Sequence, residues 1–331
     1  MNAAPANGNG ATVDPYETPK PTPTEPLRGL AHLARVAVVG RDKIIELAER
    51  PIVWLWDFIA TAGLTVLLAA GPGSGKTTLL FLLLAARANR GMPVSILGHV
   101  VAPAPSGKWM VVIENEHSDE SAARILRRSC DLLGIGDEAL EMIILVARGN
   151  VRIGAPAWMD VETLIAAGLV SDVAIDTLAR CSPTADANSE QEQVEIFSLI
   201  ANAIERAPSA DTRPTVWVAA HTRKKGAGAL TLEDVSGSTQ RSGQADVVLL
   251  MDTERADGKV VSVKATFAKV REKCAEDWPE PVSYIVRKNC VELVDAPKNN
   301  DGPLTERIVD RLRAEGPIEV DPTVRTTEGS S

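Results

Sequence analysis

From residue 51 onward, short apolar runs alternate with longer stretches whose apolar positions recur every three or four residues. Leu64–Ala69, Trp109–Ile113, Leu140–Val146, Leu169–Ile175 and Thr215–Ala220 read as buried strands. Residues 79–90, 118–134, 158–168 and 189–206 read as helices, and 93–108 as a short strand followed by a connector rich in Pro and Gly. This alternation predicts an α/β fold with a mostly parallel sheet and helices on both faces. The texture changes at 246. Asp246–Met251 and Lys259–Phe267 flank Ala256-Asp257-Gly258, a hairpin signal, and Val282–Val286 and Cys290–Val294 follow as further antiparallel strands. Residues 1–27 carry six prolines and too little apolar surface to order themselves, so they read as a disordered tail. Residues 28–50 have helical periodicity, 51–296 form the main domain, and 297–331 hold one amphipathic helix and a loose end.

The candidate chemistry is concentrated after the first buried strand, in Ala70-Gly71-Pro72-Gly73-Ser74-Gly75-Lys76-Thr77-Thr78. Strand, glycine-rich loop and helix, with a Lys-Thr pair, are the context of a phosphate-binding loop, here with Ala70 at the first position. Gly71, Gly73 and Gly75 let backbone N–H groups turn toward a phosphate, together with Ser74 and Thr78. Lys76 reaches the β- and γ-phosphates, and the Thr77 hydroxyl is offered to Mg²⁺. The expected ligands are ATP and Mg²⁺.

Polar residues stand where the other strands end. Asp176 terminates an apolar strand, as a carboxylate that orients Mg²⁺ through water does. Glu114 and Glu116 lie two apart at one strand end, and either can take a proton from the attacking water, with Glu116 favoured. His221 ends the next strand, in reach of the γ-phosphate. Arg124, on the helix over 118–134, joins the nucleotide-binding candidates. Arg223, Lys224 and Lys225 sit beside Gly226 and Gly228, a mobile basic loop suited to a phosphodiester backbone. Lys269 and Arg271 share one face of a late strand and can serve as cations inserted into a neighbouring subunit's ATP site.

Charge and cysteines refine this picture. The formal net charge is −9, so nucleic acid would be held by a local basic loop rather than by bulk charge. The four cysteines show no metal-ligand spacing and read as reduced thiols. No apolar run is long enough to span a membrane, and no secretory signal is visible, so a cytoplasmic protein is expected.

These residues resemble a known family. Trp54, the run Gly63-Leu64-Thr65 leading into Gly71–Thr77, Glu116, Ile175-Asp176-Thr177-Leu178-Ala179-Arg180, His221, and Ser236-Gly237-Ser238 with Gly243-Gln244-Ala245-Asp246 resemble the RecA-like P-loop ATPases of the RepA hexameric replicative helicase type. These are AAA family ATPases with a core of the RecA, DnaB and KaiC kind. The resemblance covers roughly residues 50 to 290. It implies a RecA-like core, a homo-hexameric ring with ATP between subunits, and movement on single-stranded DNA. It also implies Glu116 as base, Asp176 as the Mg²⁺-orienting carboxylate and His221 as γ-phosphate sensor. Relatives often carry an Arg just before the Gly-Ser pair. Here that position is Ser236, which leaves Arg241, Lys269 and Arg271 as candidates for the trans finger. The same ATP site also suits a RecA-like switch, or a replication or recombination accessory protein that binds DNA or a protein without unwinding.

Overall fold

The computed structural model describes residues 41–49, 52–90, 93–147, 151–182, 190–222, 229–235, 239–256, 259–271, 279–286 and 291–294. Helix α1 (Arg41–Ala48) belongs to a unit that ends at Val53. The second unit begins at Trp54 and carries every other described element.

That unit starts with two short strands, β1 (Trp54–Trp56) and β2 (Ala60–Thr61), and then β3 (Thr65–Ala70) runs into the glycine loop and α2 (Lys76–Ala88). The chain continues through β4 (Val94–Ile96), β5 (His99–Val101), β6 (Trp109–Glu114), α3 (Asp119–Leu133), β7 (Ile143–Ala147) and α4 (Pro156–Ala166). Next come β8 (Val170–Asp176), the single turn α5 (Leu178–Cys181), α6 (Glu190–Glu205), β9 (Thr215–His221) and α7 (Thr239–Gln244). The last described strands are β10 (Val247–Ala256), β11 (Lys259–Val270), β12 (Val282–Val286) and β13 (Val291–Leu293).

One nine-stranded sheet has the order β13-β12-β11-β10-β3-β9-β8-β6-β7. The strands from β10 through β3, β9, β8 and β6 to β7 are parallel, and β10 to β13 pair antiparallel. Strand β3 is fully buried, and its alternate residues serve two cores. Val66, Leu68 and Ala70 join the cluster beneath α2 and α3, while Leu67 and Ala69 join the one beneath α4 and α6. A continuous apolar run is therefore required, because a central parallel strand has no solvent face. Each fully buried Leu contributes about 1.5–3 kcal/mol by leaving water. Among the described residues, no helix is long and apolar enough to cross a membrane.

The structure departs from the sequence reading in two places. Residues 93–108 hold a hairpin, β4 with β5, in a second sheet of order β2-β1-β5-β4. Its turn is Leu97-Gly98, both at positive φ (54° and 83°), which lacks the Asn-Gly or Asp-Gly signature of such turns. The strand expected over 140–146 begins at Ile143, preceded by a 3₁₀ helix over Asp137–Met142. The amphipathic helix read within 297–331 and the tail at 1–27 lie outside the described residues.

A buried ion pair ties the layers together. The Arg87 guanidinium of α2 donates to Asp172 of β8 through Nε at 3.1 Å and Nη2 at 3.1 Å, and to the Ala102 carbonyl at 2.7 Å. Trp217 Nε1 of β9 donates to the same Asp172 at 2.9 Å. Arg87 is 1% exposed and Asp172 is fully buried, so each charge depends on the other for compensation.

Candidate functional site

In a parallel sheet the loops after the strands gather at one edge. Ala70 at the end of β3 pairs with His221 of β9, and Glu114 at the end of β6 pairs with Asp176 of β8. Because β9 lies between β3 and β8, His221 stands between the glycine loop and the two acidic strand ends.

The loop itself is built to bind an anion. Gly73 and Gly75 take φ of 67° and 86°, a conformation that a Cβ would strain. Gly75 is the N-cap of α2 and offers no side-chain cap, so the first N–H groups of the helix remain available to a phosphate. Ser74 Oγ closes the loop by donating to the Gly71 carbonyl at 2.7 Å. Lys76 Nζ donates to the carbonyls of Ala70 at 3.1 Å and Gly71 at 3.0 Å and lies 3.3 Å from His221 Nδ1. Burial lowers the Lys76 pKa, while the charges of Asp176 and Glu116 oppose that shift.

On the other side of the imidazole, His221 Nε2 lies 3.1 Å from Glu116 Oε1, and the Thr177 hydroxyl donates to the same oxygen at 3.2 Å. Burial raises the Glu116 pKa, but the His221 hydrogen bond and charge, Thr177 and Lys76 outweigh it, so the net shift is downward. An ionised carboxylate at this position can accept a proton. Glu114 behaves differently. It is fully buried and accepts the backbone N–H groups of Glu116 at 2.6 Å and His117 at 2.9 Å, so its oxygens serve the turn that carries Glu116.

Asp176 is fully buried, and neither of its oxygens accepts a hydrogen bond of normal geometry among the described residues, although the Thr77 hydroxyl faces it. Burial raises its pKa to about 6, helped by the Glu114 and Glu116 charges and countered by Thr77 and Lys76. A buried carboxylate whose oxygens accept no hydrogen bond of normal geometry among the described residues, facing a loop threonine, fits a hard cation that prefers oxygen ligands and retains its own waters. Asp176 and Thr77 are the residues that would hold Mg²⁺, which when bound neutralises phosphate charge. The Asp176–Thr177 peptide is cis.

The structure thus brings Gly71, Gly73, Ser74, Gly75, Lys76, Thr77, Thr78, Glu116, Asp176 and His221 to one edge of the sheet. Arg124 is exposed on α3, and no contact ties it to the loop among the described residues. Lys269 and Arg271 lie at the opposite edge, beside Asp246, whose carboxylate accepts the N–H of Thr65 at the start of β3. Lys269 Nζ donates to the carbonyls of Ser242, Gly243 and Ala245, which uses its three donors, and Arg271 Nη1 pairs with Asp246 Oδ1 at 2.6 Å. Arg241 falls on α7, and its side chain is outside the described residues, as are Arg223, Lys224 and Lys225 altogether.

The profile of a family described as an AAA domain matches residues 33–227, more than half of the chain and all of the convergent site. No curated protein matches in sequence. A KaiC-like protein of the hyperthermophilic archaeon Pyrococcus horikoshii aligns in structure at 14% identity and a TM-score of 0.49, over 73% of this chain and 99% of that one.

Proposed function

The chain belongs to the AAA domain family and carries the site of a P-loop ATPase, and from that premise we propose that it is an ATP-hydrolysing, ring-forming motor on single-stranded DNA, of the RepA replicative helicase type. The observation that carries this reading is the position of His221. Its imidazole touches Lys76 on one side and Glu116 on the other, and the chain continues directly from it into Thr222-Arg223-Lys224-Lys225. A γ-phosphate arriving at Lys76 competes for these contacts, and a basic run that follows His221 in the sequence would feel that change. ATP and Mg²⁺ are the ligands of the site. Glu116 is the base, and a homo-hexamer in the cytoplasm is the assembly this reading favours.

The test is the ATPase rate with and without single-stranded DNA, alongside electron microscopy of the assembly. A motor shows DNA stimulation and closed rings. In the Lys224→Ala/Lys225→Ala variant, DNA binding weakens for all sequences alike. The log–log salt slope flattens by roughly 0.7 for each lysine–phosphate pairing removed, while basal hydrolysis persists. Hydrolysis indifferent to DNA, with binding and salt slope unchanged by the variant, replaces the motor with a RecA-like switch acting on another partner. Filaments in place of rings favour a recombination role.

A further inference from the structure

Strand β10 does not stop where the phosphate loop begins. Its parallel register with β3 runs from Val247 opposite Val66 to Met251 opposite Ala70. Beyond Met251 it continues through Asp252, Thr253, Glu254 and Arg255 to Ala256, held there by its antiparallel pairing with β11. At a strand rise of about 3.3 Å per residue, this overhang carries the chain alongside the glycine loop. Met251 belongs to the core cluster beneath α2, and side chains two and four residues on point to the same side, the one from which the loop enters α2. Arg255 is four residues past Met251. The register shift between Glu254 and Arg255 leaves its extra residue, Val261, on β11, so the alternation along β10 is kept. A methyl group built on Gly73 would lie 3.5 Å from Arg255 Nη2, which places the guanidinium against the lip of the loop. Its neighbour Glu254 is held elsewhere, accepting from Ser262 Oγ at 2.7 Å.

We propose that Arg255 is a cis arginine: it contacts the γ-phosphate of the nucleotide bound in its own subunit. The proposal rests on the ATPase reading of the site. Guanidinium is always charged and presents a planar fork suited to two phosphate oxygens, whereas Lys76 is a single point charge. An arginine that stabilises phosphoryl-transfer charge works from the same chain as well as from a partner. Arg255 therefore supplies from within the subunit a charge of the kind that Arg241, Lys269 or Arg271 would bring in trans.

The test uses the full-length protein and the variants Arg255→Ala and Arg255→Lys. Two readouts are measured: the affinity for ATPγS relative to ADP, and kcat with and without added Lys76→Ala protein. The first needs no turnover, so it judges Arg255 even if the wild-type protein hydrolyses nothing and the ATPase reading itself fails. The proposal predicts that Arg255→Ala loses roughly tenfold or more of the preference for ATPγS over ADP. It also predicts that kcat falls roughly 10²–10³-fold, that Arg255→Lys is intermediate in both, and that mixing with Lys76→Ala restores nothing. An unchanged preference for ATPγS in Arg255→Ala overturns it. Recovery of kcat on mixing also overturns it, because then the arginine serves a neighbour. Loss in both variants that matches a fall in their melting temperature, with Arg255→Lys no better than Arg255→Ala, overturns it in favour of a role in the hairpin.

Discussion

Glu114 holds Glu116 in place by its backbone, its carboxylate Oε1 accepting the Glu116 N–H at 2.6 Å from a fully buried position. Two carboxylates two residues apart therefore do different work. Glu116→Gln should keep nucleotide binding and lose about 10²–10⁴-fold in turnover, as removal of a general base does. Glu114→Ala should lower both turnover and melting temperature, since it takes the acceptor from the backbone N–H groups of Glu116 and His117. Glu114→Gln, which keeps an acceptor, should recover much of both. If Glu114→Gln lost more turnover than Glu116→Gln at unchanged melting temperature, the base would be Glu114.

The contact between His221 and Glu116 predicts where the acid side of the pH profile falls. The folded-state pKa of Glu116 lies below its ordinary 4.5, so its stabilising contribution is present above that value and is lost as pH falls through the lower folded value. In His221→Ala, burial is no longer offset by the imidazole's hydrogen bond and charge, and the Glu116 pKa rises. The acid limb of kcat/KM should move to higher pH. An acid limb that stays in place would detach Glu116 from the rate.

Asp176→Asn should separate stability from activity. At pH 7 the wild-type carboxylate is above its pKa of about 6 and is ionised in a fully buried position. The amide removes that cost, so without nucleotide or Mg²⁺ the variant should melt higher, by roughly 2–4 °C per kcal/mol gained in a domain of this size. The difference should shrink as pH falls below about 6, where the wild-type group is protonated. Hydrolysis should fall, and its Mg²⁺ requirement should rise. A lower melting temperature at pH 7 would show that the carboxylate has a structural partner.

Arg87→Ala should cost about 3–5 kcal/mol in urea unfolding, because it leaves Asp172 charged and buried with the Trp217 indole as its remaining side-chain donor among the described residues. A cost below about 1 kcal/mol would mean that water reaches the pair.

The sequence was informative where one local pattern is sufficient. The run Leu64–Thr78 specifies strand, loop and helix together, and each strand that ends in a polar residue delivered that residue to the site edge. Three features were not legible. Arg87 and Asp172 are 85 positions apart, and each looks like an isolated polar residue in an apolar segment until the sheet brings them together. The β4–β5 hairpin was hidden by prolines and by a Leu-Gly turn. Arg255 sits in a stretch that reads only as the approach to a hairpin. Its place beside Gly73 depends on the register between β10 and β3, which no local pattern encodes. Lys269 and Arg271 were visible as cations on one face, but their engagement with the carbonyls at the end of α7 and with Asp246 depends on how α7 meets β11.

The central claim is that the glycine loop, Glu116, Asp176 and His221 form one hydrolytic site, and steady-state ATPase with Mg²⁺ tests it most directly. Wild-type protein should release phosphate from ATP in a Mg²⁺-dependent manner. Lys76→Ala, which keeps the packed core of α2, should unfold with a cooperative transition like that of the wild type and release none above background. Wild-type turnover by a correctly folded Lys76→Ala protein would contradict the account.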